Sequence, residues 1–137
     1  MSSEQSSRLI AIVDDDQSVQ CALQDLIESD GLSTLCFGSA EQFLDSGAQH
    51  TAGCLIADVR MPGMSGIELQ TKLKADRCRI PIIFITAHGD SKMRIQAMRD
   101  GAVEFLTKPF DNPVLLETVH AAVEDYGRTL GLRNSNP

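Results

Sequence analysis

LIAIVDDDQSVQCALQDLIES, residues 9–29, changes its period halfway. Leu9 to Val13 is a short continuous apolar run, the mark of a strand buried on both faces. Between Gln17 and Glu28, Val19, Ala22, Leu23, Leu26 and Ile27 recur at helical spacing and share one face. Asp16 is placed to cap that helix and Gly31 to stop it. A buried strand that runs straight into an amphipathic helix is the repeating unit of a parallel sheet.

The unit recurs along the chain. Ser33–Phe37 is a shorter, more polar run that suits a sheet edge, and Ser39 with Gln42 forms a capping-box pattern before Phe43 and Leu44. Cys54–Ala57 reads as a third strand, followed by a helix over Ser65–Ala75 with Leu69 and Leu73 on one face. Pro81–Ile85 is the most apolar strand, and Asp90–Asp100 is a helix ended by Gly101. Val103–Leu106 is a fifth strand. A last helix opens near Asn112 with Pro113 in its first turn, and its stripe is Leu115, Leu116, Val119, Ala122, Val123 and Tyr126. Five alternations with short connections imply an α/β fold with a five-stranded parallel sheet covered on both faces. Right-handed crossovers favour the flavodoxin-like strand order 2-1-3-4-5. The expected organisation is a flexible segment over residues 1–7, one domain over 8–126, and a tail or linker over 127–137.

Composition agrees with one domain. The 137 residues are 42% hydrophobic and 23% charged, with 12 basic and 19 acidic side chains for a net charge of -7. This acidity argues against direct contact with nucleic acid, which needs a basic face. No apolar run approaches the roughly 20 residues of a membrane helix, and Met1–Ser7 has no signal-peptide core. A cytoplasmic protein without a membrane partner is expected. Cys21, Cys36, Cys54 and Cys78 lack metal-ligand spacing. The first three lie in apolar stretches and read as small buried hydrophobes, whereas Cys78 lies in a polar loop and reads as exposed.

Ligands of an open parallel sheet bind beyond the carboxyl ends of its strands. Strand 1 ends in Asp14, Asp15 and Asp16, strand 3 in Asp58, strand 4 in Thr86, and strand 5 in Thr107 and Lys108 before Pro109. Carboxylates brought that close repel each other and need a counter-charge. Mg²⁺ suits a shallow, partly hydrated oxygen site. A cation, a lysine and a hydroxyl donor together match the equatorial oxygens of a transferring phosphoryl group. Asp58, alone at its strand end and central in the sheet, is the best acceptor. Each residue also has an ordinary reading: Asp16 as a helix cap, Lys108–Pro109 as a turn, Thr86 as a capping residue. The information lies in their joint placement.

Four segments carry a family resemblance: IAIVDDD (10–16), IADVRMPGMSGIEL (56–69), PIIFITAHGD (81–90) and GAVEFLTKPF (101–110). Over about residues 8–125 the sequence resembles the receiver domain of bacterial two-component response regulators, and the wording of these segments is most similar to the FixJ-type branch. The resemblance implies a phosphoacceptor that assists its own phosphorylation and dephosphorylation, not a turnover enzyme. Asp58 would take a phosphoryl group from a sensor histidine kinase. Asp15 and Asp58 would ligate Mg²⁺ directly, Asp14 through water, and Arg60 through its backbone carbonyl. Thr86 would hydrogen-bond the phosphoryl group, Lys108 would pair with it, and the Lys108–Pro109 bond would be cis. Phe105 would be the aromatic switch, turning inward as Thr86 is drawn to the new charge. That change would rearrange the surface of helix 4, strand 5 and helix 5, and the protein would homodimerise through it. Arg60 and His88 would tune the lifetime of the phosphoryl group. FixJ-type regulators usually carry a DNA-binding output domain after the receiver.

Two other readings compete. Asp14-x-Asp16-x-Ser18 after an apolar strand resembles the nucleophile motif of haloacid-dehalogenase-type phosphatases, in which the first Asp is phosphorylated and the second is an acid. Such enzymes also need a late acidic pair for their metal. A degenerate receiver, binding partners without phosphoryl chemistry, is the other alternative. An EF-hand fails because Val19 stands where the loop needs Gly. No GxGxxG or P-loop points to a nucleotide site.

Overall fold

Neighbouring side chains of a strand point to opposite faces, so a strand covered on both sides must be apolar at every position. That is how the central strands are built. A computed structural model of the chain describes residues 8–87 and 91–135, with side chains through residue 128. Its strands are β1 (Leu9–Val13), β2 (Ser33–Phe37), β3 (Cys54–Asp58), β4 (Ile82–Thr86) and β5 (Glu104–Thr107). They pair in parallel in the order β2-β1-β3-β4-β5, as the alternation implies.

Ile10 and Ile12 of β1 join Ile56, Ile83 and Ile85 on one face, where Leu23 and Ile27 of helix α1 (Gln17–Ser29) and Leu115 and Val119 of α5 (Asn112–Ser135) cover them. Ala11, Val13, Leu55, Ala57 and Phe84 line the other face. There they meet Phe43 of α2 (Ala40–Ser46), Leu69 and Leu73 of α3 (Gly66–Ala75) and Ala97 of α4 (Ser91–Arg99). The edge strand β2 is only half-buried, with Leu35 exposed.

The caps explain where the helices begin. The Asp16 carboxylate accepts from the Ser18 N–H at 2.9 Å. Ser39 Oγ accepts from the Gln42 N–H, but Gln42 returns its bond to the Gly38 N–H, one residue before the reciprocal position of a capping box. The full box belongs to α3, between Ser65 and Glu68.

The structure corrects several sequence expectations. Cys21 is exposed and Cys36 half-buried, and of the three cysteines read as buried only Cys54 is. Cys21 and Ala22 lie on the solvent side of α1, away from the Leu23–Ile27 stripe. Cys78 is half-buried, with its Sγ 3.3 Å from the Gln49 carbonyl. Strands β4 and β5 each begin one residue later than expected. Pro81, which has no N–H, precedes β4 and offers only its carbonyl, to the Leu55 N–H. The stretch from Gly127, read as a tail or linker, is helical through Ser135. Among the described residues, no helix is long and apolar enough to cross a membrane.

Candidate functional site

The parallel sheet sends the ends of β1, β3, β4 and β5 to one edge. The Asp14 N–H still bonds to the Phe37 carbonyl at 3.1 Å, so the β1–β2 ladder runs on and buries Asp14 to 2% exposure. Asp58 ends β3 at 9% exposure, Thr86 ends β4 at 1%, and Asp15 faces solvent. One ligand oxygen each from Asp14, Asp15 and Asp58 lies within 4.8 Å of the others. Lys108 reaches in from beyond β5. Its Nζ is 3.3 Å from Asp14 Oδ2 and 3.7 Å from Asp58 Oδ2. Its own N–H bonds the Thr86 carbonyl at 2.8 Å, which locks the lysine's backbone to the end of β4. The Lys108–Pro109 peptide is cis.

Burial pushes the Asp14 carboxyl above its ordinary value, and the nearby Asp58 charge adds to this. The Asp16 N–H, 2.8 Å from Asp14 Oδ1, and the Lys108 ammonium oppose the shift without cancelling it. A carboxyl raised by folding costs stability above its shifted value, and the cost is relieved as pH falls through it. Three carboxylates here face the one ammonium of Lys108. An oxygen-ligated divalent cation fits that donor set. Asp16 is turned away, its carboxylate held by the Ser18 hydroxyl and N–H, which lower its pKa. The ordinary reading of Asp16 as a cap is correct, and the pairing of Asp14 with an Asp16 acid loses its second member.

Gly66 explains how α3 can start directly behind Asp58. Its N–H bonds the Val59 carbonyl at 2.9 Å, and a Cβ there would stand 2.3 Å from the Asp58 carbonyl oxygen.

The response regulator receiver domain family matches residues 10–120. The chain belongs to that family. It is 47% identical over 116 residues to nodulation protein W of Bradyrhizobium diazoefficiens and 49% identical over 116 residues to response regulator protein TodT of Pseudomonas putida. Each match covers 85% of this chain and 51% of the relative. The crystal structure of FixJ-N superposes with a TM-score of 0.77 at 40% identity, covering 85% of this chain and 93% of that one. These relatives agree with the FixJ-type branch. The receiver spans about half the length of the curated relatives it matches.

Within this receiver, Phe105 packs behind the strand ends. The ring is already inside at 2% exposure, tilted against Phe84 with centroids 6.2 Å apart. Burial of an aromatic ring in an apolar layer is favourable whether or not a charge is present at the strand ends. Arg60 directs Nη2 to Met93 Sδ at 3.8 Å, across to α4, and its N–H lies 3.3 Å from Asp58 Oδ1. His88 lies outside the described residues.

Sequence reasoning missed three supports. Gln20 Nε2 donates to the carbonyls of Asp14 at 2.6 Å and Phe37 at 3.2 Å, holding the acidic turn in place. The close approach at Gly66 is the second. Glu41 Oε2, which accepts from the Met64 N–H at 3.0 Å, is the third. A polar residue in a helix carries no sign of such a partner in its own neighbourhood of sequence.

Proposed function

We propose that this receiver is the phosphoacceptor of a two-component system, with Asp58 taking a phosphoryl group from a sensor histidine kinase. The observation that carries the reading is the position of Asp58: one oxygen 3.7 Å from the Lys108 ammonium, within a cluster of three carboxylates. Asp14 is the poorer nucleophile. Its side chain is 3% exposed against 11% for Asp58, and its oxygens are held more closely, by the Asp16 N–H at 2.8 Å and Lys108 at 3.3 Å against the Arg60 N–H at 3.3 Å and Lys108 at 3.7 Å for Asp58. An Asp58 oxygen forms the new P–O bond while the P–N bond of a phosphohistidine breaks, its electron pair leaving with the imidazole.

Asp15 and Asp58 would hold Mg²⁺ directly, Asp14 through water, with the Arg60 carbonyl as a further ligand. When bound, the ion neutralises charge on the oxygens of the transferring group. Lys108 supplies a second positive charge and Thr86 a hydroxyl at the neighbouring strand end. The phosphorylated side chain carries close to two negative charges at neutral pH. Lys108 pairs with it, and Thr86 is drawn to it. As Thr86 moves, the arrangement with the Phe105 ring turned inward behind it is favoured, which is a shift of population. The surface so fixed comprises α4, β5 and α5. Ile95 and Met98 of α4, Val103 before β5 and Val114 of α5 are exposed apolar side chains on those elements, and they support homodimerisation there. Arg60 and His88 tune the phosphoryl lifetime; Arg60→Asn and His88→Ala should each change its half-life. The protein acts in the cytoplasm and makes no direct contact with nucleic acid through this domain.

The test is intact mass after incubation with Mg²⁺ and acetyl phosphate. One phosphoryl group should be gained, and the gain should vanish without Mg²⁺ or in Asp58→Asn. Failure of the folded protein to gain it, from acetyl phosphate and from a phosphorylated histidine kinase alike, would favour the degenerate receiver. A gain that survives the substitution would favour the phosphatase-like reading at Asp14.

A further inference from the structure

Seven residues, 59–65, connect β3 to α3 and carry the Arg60 carbonyl. Both ends of this loop are fixed. Val59 and Met61 are buried in the core, Gly66 N–H bonds the Val59 carbonyl, and the Ser65 N–H bonds Glu68 of α3. Pro62 and Gly63 in the middle are exposed, Met64 packs partly against the core, and a polar contact from another helix is added there. Glu41, in the first turn of α2, accepts the Met64 N–H on Oε2 at 3.0 Å. The helix that presents Glu41 is itself anchored. Ala40 and Phe43 are fully buried, and the Phe43 ring stands edge-on to Phe37 at 5.6 Å.

Gly63 supplies an independent observation. Its φ of +76° is a conformation that favours glycine, and a Cβ there would lie 2.8 Å from the same Glu41 oxygen. The Glu41 side chain could swing away from such a Cβ, but only by releasing the Met64 N–H. The loop thus leaves room at Gly63 for the carboxylate that holds it at Met64.

We propose that Glu41 is a positioning residue for the acceptor loop, clamping residues 62–64 to α2 and so steadying the loop that carries Arg60, whose N–H lies 3.3 Å from Asp58 Oδ1. The clamp also ties α2 to the acceptor site, so motion of one is resisted by the other. This inference rests on the reading of Asp58 and its Mg²⁺ ligands given above, and its test separates the two.

The experiment compares the parent with Glu41→Ala, Glu41→Gln, Gly63→Ala and the Glu41→Ala/Gly63→Ala pair. Amide hydrogen exchange of the metal-free proteins reads the clamp directly. In Glu41→Ala, exchange at Met64 should quicken by roughly two- to tenfold, the equilibrium worth of one such hydrogen bond, while core strands keep their protection. Glu41→Gln keeps an acceptor oxygen and should restore the parent rate. Gly63→Ala should quicken Met64 exchange in both backgrounds, because φ +76° strains an alanine, but by less in Glu41→Ala, where the contact with the carboxylate is already gone. In phosphorylation from acetyl phosphate, Glu41→Ala should raise the Mg²⁺ concentration for half-maximal rate several-fold, with a similar rate at saturation. Unchanged Met64 exchange in Glu41→Ala, or a loss of protection spread evenly over the chain and not rescued by Gln, would overturn the proposal. Quickened exchange with an unchanged Mg²⁺ requirement would overturn its functional half. A parent that takes up no phosphoryl group would instead sink the acceptor reading, with the exchange data still judging the clamp.

Discussion

Replacing Gly66 by alanine tests whether the acceptor is held by backbone packing. The new Cβ would meet the Asp58 carbonyl oxygen at 2.3 Å and Val59 Cα at 3.0 Å. Side-chain Cβ atoms essentially never come closer than 3.0 Å to such atoms, so α3 and the end of β3 must part by about 0.7 Å. Both obstacles are backbone, and neither can rotate away. Overpacking of this kind costs about 1–3 kcal/mol where side chains can adjust. Here the cost should reach the upper end, about 3 kcal/mol, or roughly 10 °C in Tm for a domain of this size. The same displacement moves Asp58 relative to Lys108 and Asp14. Misplacement of a reacting group by about 1 Å costs on the order of a hundredfold in rate, so a loss of ten- to a hundredfold in phosphoryl uptake is expected. Urea unfolding followed by far-UV circular dichroism gives the first number, since the chain has no tryptophan to report it. Intact mass against time gives the second. A Gly66→Ala protein within about 0.5 kcal/mol of the parent and with parental uptake would refute the packing argument. The loop would then yield freely behind Asp58.

Three further outcomes follow from the same geometry. Lys108→Ala, removing a side chain 22% exposed that faces two carboxylates, should lower metal-free stability by about 1–2 kcal/mol, less than the loss of a fully buried partner. An equally stable variant in urea would show that the ammonium offsets no repulsion. Thiol labelling of the native protein should be fastest at Cys21 and slowest at Cys54. The latter is buried with its pKa pushed up to about 12, so almost no thiolate is present at neutral pH. Rapid labelling of Cys54 before unfolding would contradict the packing of β3. Sedimentation should show a larger species after phosphorylation, diminished by charged substitutions at Ile95 and Met98; an unchanged monomer would remove the dimer from the account.

The architecture was legible because the central strands are apolar without interruption and most helices show a stripe. The switch from one period to the other within residues 9–29 was enough to set the unit, and repetition set the sheet. The site was legible for a related reason. A carboxylate or lysine breaking an apolar run marks a strand end, and the topology brings strand ends together. What escaped the sequence depends on contacts between distant residues. Gln70 of α3 is 3% exposed and donates to the Ala97 carbonyl of α4 at 2.9 Å, a contact its own stretch of sequence does not announce. Cys21 sits among apolar neighbours in sequence but on the outer side of its helix. The stretch from Gly127 holds Gly, Asn and Ser, yet the last helix runs through it to Ser135. Phe105 could be placed on β5 from its pattern, but which way its ring lies depends on Phe84, twenty-one residues earlier in the chain.

The most direct measurement of the central claim is the site of modification. Borohydride reduces an acyl phosphate of aspartate to homoserine, which tandem mass spectrometry of the digested protein can place. After phosphorylation with Mg²⁺ present, the account expects homoserine at position 58 and at neither Asp14 nor Asp15. Homoserine at position 14, or at none of the three in a protein that has gained the phosphoryl mass, would contradict it.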